Sequence, residues 1–356
     1  MPRMLVLAVL LVFGTLVAAQ SRPLDIYWID VEGGAATLIV APSGESMLLD
    51  TGFDVPGRDA KRIHAAALAA GLRRIDHVVI SHYHRDHVGG LTELATLMPL
   101  GRFYGPGDEI EPANVQWLNA FRTAAGTNRT IAKPGDVLPV KGIAALIVSS
   151  DRKFLERPLA GGGPNALCAD AERKAPAGLE NERMVGVMLT YGRFKFLTLT
   201  DLDWAMEMEL VCPVNKLGTV TIYQSGRHGS FDGAGSPPLI GAIRPQVVVF
   251  NNGPRKGLGQ LDDRAKSVTP AGVKTRPYER NGYARAAALP GIEGIWQVHR
   301  SLLDANPAHN TAPDMIANLE EEAGDQGHWI KASVQADGRF TIVNGRNNVS
   351  RSHTAR

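Results

Sequence analysis

The stretch SHYHRDHVGG, residues 81–90, places three histidines and an aspartate within six positions: His82, His84, Asp86 and His87. Histidine is scarce in this chain, at 10 of 356 residues. At that frequency H-x-H-x-D-H arises by chance in roughly one chain of this length in a few thousand. Imidazoles gathered in one place make poor packing, because each buried ring needs a polar partner. With a carboxylate beside them they suit zinc and, less specifically, manganese, iron or another divalent ion. Alternate residues of an extended segment share a side. His82 and His84 are therefore placed to chelate one ion, and Asp86 and His87, past the bend, to face a second. His64, His77, His299, His309, His328 and His353 are scattered and read as ordinary core or surface residues.

The cluster follows a short apolar strand, IDHVVIS (75–81), and Gly89-Gly90 opens a helix behind it. It thus sits on a strand-to-helix loop, where a rigid scaffold presents ligands in the open. Upstream, LDIYWIDV (24–31), AATLIVA (35–41) and SMLLD (46–50) read as strands, and residues 59–70 as a helix ended by Gly71. Residues 98–180 look less regular, with a helix around 111–125 and a Gly/Pro/Ala-rich loop over 161–178. The pattern then restarts. A hairpin over 184–201 precedes the helix DWAMEMEL; the strand TVTIYQS (219–225), a helix near PPLIGAI and the strand QVVVFNNG (246–253) follow. A last hairpin, HWIKASVQADGRFTIVN, turns at Asp337-Gly338. Strand–helix order that occurs twice fits two sheets with helices outside better than one parallel sheet.

Composition is that of an ordinary globular chain, 44% hydrophobic and 21% charged. Net charge is +2 and no long basic run occurs, so there is no strong nucleic-acid signal. Residues 1–19 read as a signal peptide: Arg3, an apolar run from Met4 to Val17, then Ala18-Ala19. The alternative is an uncleaved anchor, although the run is short for a bilayer. Export to the periplasm or medium is the expectation, with no membrane span in the mature chain. In an oxidising compartment the only two cysteines, Cys168 and Cys212, are expected to pair; the alternative is two buried thiols.

H-x-H-x-D-H after an apolar strand, with LLDTG (48–52) before it, resembles the metallo-β-lactamase superfamily. Together with IDVEGGAATLIVAPSGESMLLDTG, YGRFKFLTLTD and RHGS, it resembles the metallo-hydrolase domain of DNA-internalisation competence proteins and their secreted stand-alone relatives. The resemblance covers about residues 24–257. It implies an α/β fold, the αββα sandwich, as a hydrolase domain over residues 20–300 with a C-terminal extension over 301–356. It also implies one or two zinc ions held by His82, His84, Asp86, His87, Asp201 and His228. Asp201 has a competing role as the N-cap of DWAMEMEL. Asp50 is implied to orient a ligand histidine.

Two departures stand out. The family's His-His-Gly reads Arg227-His228-Gly229 here, and no histidine lies between 88 and 227. The His82/His84 ion therefore lacks a usual partner, for which Asp151, Glu180, Asn181 or water are substitutes. The implied chemistry is hydrolysis: a bound cation supplies hydroxide at neutral pH, and Asp86 orients the nucleophile. Arg227, Arg255 and Lys256 are candidates for an anionic substrate group, or else a solvated surface turn. The expected substrate is a phosphoester or phosphodiester. The alternatives are a lactone, thioester or β-lactam, or a non-catalytic binding protein with a degenerate site.

Overall fold

The structure, a computed structural model, describes residues 22–230, 233–260, 267–268, 282–303, 306–321 and 327–356. The expected signal peptide lies outside them. Among the described residues no helix is long and apolar enough to cross a membrane.

Two nine-stranded sheets are stacked face to face. Leu24–Trp28, Thr37–Val40 and Ser46–Leu49 form an antiparallel meander in the first. Ile75–Val79, Leu100–Gly105 and Arg129–Ile131 continue it in parallel. In the second, Ala144–Ser150, Gly186–Tyr191 and Phe194–Thr198 run antiparallel. Ile222–Gln224, Val247–Phe250 and Gly294–His299 then add in parallel. Trp28, Ile39, Val79, Ile147, Phe196, Val249 and Trp296 fill the space between the sheets.

Helices cover both outer faces. Asp59–Ala69 turns Ala60, Ile63, Ala66 and Ala67 inward, at helical spacing, onto the first sheet. Leu210, Leu239 and Ile240 do the same on the second. The αββα sandwich, the metallo-β-lactamase fold, is therefore the architecture. Where helices cover them, the strands are buried on both faces and read as near-continuous apolar runs, as TLIV (37–40) and VVVF (247–250) do.

The sequence pattern missed Leu100–Gly105, Arg129–Ile131, Val137–Leu138 and Ala144–Ser150 in the stretch read as irregular. Gly101 and Gly105 blur the first of these. Each is needed for close approach: a Cβ at Gly101 would lie 2.2 Å from the Asp76 carbonyl oxygen, and one at Gly105 3.1 Å from the Phe121 ring. The tail does more than append a hairpin. Ile330–Val334 pairs with Leu24–Trp28, and Arg339–Asn344 and Ser350–Thr354 follow it at that edge. Ile316–Asn318 joins the second sheet beside Gly294–His299.

Candidate metal centre

The parallel strands of both sheets release their chains at one edge of the sandwich. Asp50 follows Ser46–Leu49, and the histidine loop follows Ile75–Val79. Asp201 follows Phe194–Thr198, His228 follows Ile222–Gln224, and Asn251 to Lys256 follow Val247–Phe250. Carboxyl ends of parallel strands are where such sheets bind ligands. Beneath them Gln224 Oε1 ties the sheets together, accepting from Trp28 Nε1 at 3.0 Å and Thr37 Oγ1 at 2.9 Å.

Asp86, His87, Asp201 and His228 each offer an atom, all within 4.8 Å of one another and all buried. His228 Nε2 stands 3.2 Å from Asp86 Oδ2 and 3.3 Å from Asp201 Oδ1. His87 Nε2 stands 3.3 Å from Asp86 Oδ2 and 3.5 Å from Asp201 Oδ2. His87 Nε2 and Asp201 Oδ1 are buried without a hydrogen-bond partner. Buried polar atoms are rarely left so. Two carboxylates and two imidazoles converging on one point fit a zinc-sized ion.

Backbone and outer partners aim these donors. Asp50 accepts from Ser81 N at 2.7 Å and Ser81 Oγ at 2.8 Å, and its Oδ2 lies 2.7 Å from His87 Nδ1. With Nδ1 donating to Asp50, Nε2 is the ring nitrogen turned to the donor set. Having donated to Asp50, the Ser81 hydroxyl accepts from His82 Nδ1 at 2.9 Å. His82 Nε2 then faces His84 Nδ1 at 2.9 Å, close enough to share one proton or one cation.

Asp50, Thr200, Arg227 and His228 all have positive φ, 61°, 40°, 46° and 53°. Such conformations cost non-glycine residues about 1 kcal/mol or more each and gather at functional sites. Here Arg227 N, donating to Thr200 O at 2.7 Å, stitches two of these turns together.

The charges reinforce the arrangement. Burial pushes the Asp86 carboxyl up, but Lys256 and His87 outweigh it and hold it well below the usual range. Burial likewise opposes ionisation of Asp201, and His228 and His87 overcome it. Burial lowers His87, yet Asp86, Asp201 and Asp50 lift it well above its ordinary value. His82 is driven well below by burial and by His87 and His84, and burial lowers His84 too.

The remaining sequence candidates separate. Lys256 Nζ contacts Asp86 Oδ2. Arg255 instead pairs with Glu321 on the surface at 2.9 Å. The Arg227 guanidinium packs on Gly233, where a Cβ would lie 2.5 Å from Nη1, and its charge acts on Asp203.

The cap itself is Asp203, accepting from Met206 N at 2.9 Å, which leaves Asp201 to the donor set. Of the substitutes for the missing histidine, Asp151 is engaged by Gly107 N and Arg183, and Glu180 by Tyr83 N and Glu111 N. Asn181 keeps a buried Oδ1 without a hydrogen-bond partner. Cys168 and Cys212 form a disulfide. Sequence reasoning missed Asn251, whose Nδ2 lies 3.3 Å from His228 Nδ1, because an asparagine ending a strand carries no motif.

The family model for the metallo-beta-lactamase superfamily matches residues 29–171. An atrochrysone carboxyl ACP thioesterase of Emericella nidulans is 32% identical over 106 residues, 29% of this chain and 33% of that protein. A hydroxyacylglutathione hydrolase of Alkalilimnicola ehrlichii is 46% identical over 63 residues, 18% of this chain and 23% of the other. The chain thus spans a third or less of the length of these curated relatives. Among solved structures, the metallo-beta-lactamase fold protein YhfI of Bacillus subtilis aligns with TM-score 0.43 at 11% identity, covering 77% of this chain and 95% of that one. A diphosphatase from the PhnP family aligns with TM-score 0.41 at 13% identity, covering 88% and 98%. The family model takes in the strands from Thr37–Val40 to Arg129–Ile131 of the first sheet and the histidine loop, and it supports the metallo-β-lactamase superfamily as the setting of this site.

Proposed function

We propose that the chain is an exported metal-dependent hydrolase acting on a phosphodiester or phosphoester. The observation that carries it is the convergence of Asp86, His87, Asp201 and His228 on two orphaned buried atoms. These four residues would hold a divalent ion such as zinc, which when bound would supply an acidified water and Lewis-acid polarisation of the substrate. Asp50 fixes the tautomer of His87, and Ser81 that of His82. Asp86 anchors the donor set and orients the attacking water. His82 and His84 form a weaker second position, short of a third imidazole. Lys256, in contact with Asp86, receives an anionic group beside the reacting centre. A phosphodiester carries its charge on the reacting phosphorus's own oxygens, which favours it. The disulfide supports export, since such bonds persist in oxidising compartments.

A thioester or lactone is the second reading. Arg255 is paired with Glu321 on the surface, so Lys256 is the cation seen on a donor oxygen, where a phosphate clamp often has several. The curated relatives include an atrochrysone carboxyl ACP thioesterase. Purified protein is expected to carry at least one zinc and to cleave bis(p-nitrophenyl) phosphate faster than an acyl thioester. The reverse preference would move the assignment to the carbonyl reading. Absence of metal after growth with zinc would remove both.

A further inference from the structure

Lys256 stands where a metal-binding site least tolerates a cation. Its ammonium meets Asp86 Oδ2. That same oxygen faces His228 Nε2 at 3.2 Å and His87 Nε2 at 3.3 Å, so it is the oxygen turned to the centre of the donor set. The backbone under the lysine is fixed. Gly253 N donates to Lys256 O at 3.0 Å, and a Cβ at Gly33 would lie 2.8 Å from Lys256 Cβ. A Cβ on Gly257 would lie 2.1 Å from His228 O, so the lysine turn is wedged directly against the His228 turn. What freedom remains is in the side chain, which is 31% exposed at the mouth of the site. Its Nζ also lies 5.0 Å from the centre of the Phe53 ring, a cation–π partner already in reach.

We propose that Lys256 is an exchangeable counter-cation of the metal centre. Its ammonium holds Asp86 Oδ2 until an ion claims that oxygen. It then stays over the Phe53 face as the docking point for one anionic substrate oxygen. The proposal rests on the reading of Asp86, His87, Asp201 and His228 as metal ligands. Lysine suits the role better than arginine: a compact charge on a flexible stem lets go of a carboxylate more easily than a planar fork. Two consequences follow. The lysine weakens metal binding, because an ion must displace or sit beside a positive charge. Anion binding depends on the metal, because only then is the ammonium released from Asp86.

The test uses full-length protein stripped of metal, with zinc titrated against a competing chromogenic chelator. Lys256→Met keeps length and removes charge; Lys256→Arg keeps charge. Lys256→Met is expected to bind zinc about ten- to a hundredfold more tightly than the parent, the range typical of changes beside a metal's ligands. Lys256→Arg is expected to bind zinc more weakly than the parent, because its fork releases Asp86 less easily. Inorganic phosphate should bind the zinc-loaded parent measurably and zinc-loaded Lys256→Met at least tenfold more weakly. Equal or weaker zinc affinity in Lys256→Met, with zinc bound by both proteins, overturns the proposal and leaves the metal reading standing. Zinc binding by neither overturns both.

Discussion

Among the described residues, two groups bring an imidazole and carboxylates within 4.8 Å of one another. One is Asp86, His87, Asp201 and His228; the other is Asp30, Glu32 and His299. They differ in where the positive charge sits. In the second, Arg62 is buried with its Nη1 2.9 Å from Asp30 Oδ2 and 3.1 Å from Glu32 Oε1. Asp30 Oδ1 accepts from Glu32 N at 3.0 Å, so both Asp30 oxygens are committed. His299 Nε2 is the one group left over, 4.0 Å from Glu32. In the first, the fixed partners sit behind the imidazoles, and among the described residues the Lys or Arg cation on an oxygen of the donor set is Lys256, at the rim. Proximity of ligand types therefore does not distinguish a metal centre from a structural ion pair. A guanidinium locked into the cluster marks the structural one, here the brace under the Glu32-Gly33 turn that meets Gly253.

The sharpest way to break that comparison is Asp30→Ala. Removing one partner of a buried ion pair costs about 3–5 kcal/mol. Denaturant unfolding is expected to show a loss of that size, with zinc per chain unchanged. A drop of one zinc equivalent would make the second group a metal site after all.

A third buried carboxyl extends the series: among the described residues its partners are backbone N–H groups and none is a cation. Glu207 accepts from Gly235 N at 2.7 Å and Ser236 N at 2.8 Å, bracing the segment that follows His228 from behind. Burial raises its pKa from 4.5 to about 7, against the lowering pull of those N–H groups. The folded state thus favours the protonated acid. Its contribution to stability is complete below pH 4.5 and is lost as pH rises through about 7. The linked change is about 3 kcal/mol. Glu207→Gln cannot titrate, so its unfolding free energy should not follow that fall. The difference between parent and variant, measured metal-free at pH 5, 6 and 7.5, carries the effect. A constant difference across those pH values would mean that Glu207 is ionised throughout.

How much of this was legible in the sequence depends on how local each signal is. The histidine loop, Asp201, His228 and the alternating strands announce themselves within a few residues. The sandwich follows, since the strand–helix order appears twice. Leu100–Gly105 was hidden because its glycines serve contacts with Asp76 and Phe121, far away in the chain. Arg227 and Arg255 could not be told from Lys256, because three cations on two turns look alike until Glu321, Gly233 and Asp203 are in place. The Asp30–Arg62 pair joins residues 32 positions apart, and no periodicity records such a meeting.

The same distinction separates the two histidines that face Asp201. Behind His87 stands a carboxylate, Asp50, which can only accept, so its Nδ1 must carry the proton. Behind His228 stands the Asn251 amide, whose Nδ2 lies 3.3 Å from Nδ1 while its Oδ1 is buried without a hydrogen-bond partner. In that orientation the amide donates to Nδ1 and drives the proton to Nε2, the atom facing Asp86 and Asp201. A half turn of the amide reverses this: Oδ1 accepts from Nδ1–H, and Nε2 is free to bind a cation. Metal binding should therefore select the flipped amide, and Asn251 should matter to affinity without touching the ion. Asn251→Ala is expected to weaken zinc binding about ten- to a hundredfold, or about 1.4–2.7 kcal/mol. Asn251→Asp, which copies the Asp50 arrangement and can only accept, should recover the parent affinity or exceed it. Chelator competition on both variants decides the point. If Asn251→Ala binds zinc as the parent does, the left-handed turn at Arg227-His228 alone orients the ring, and the two histidines are held by different means.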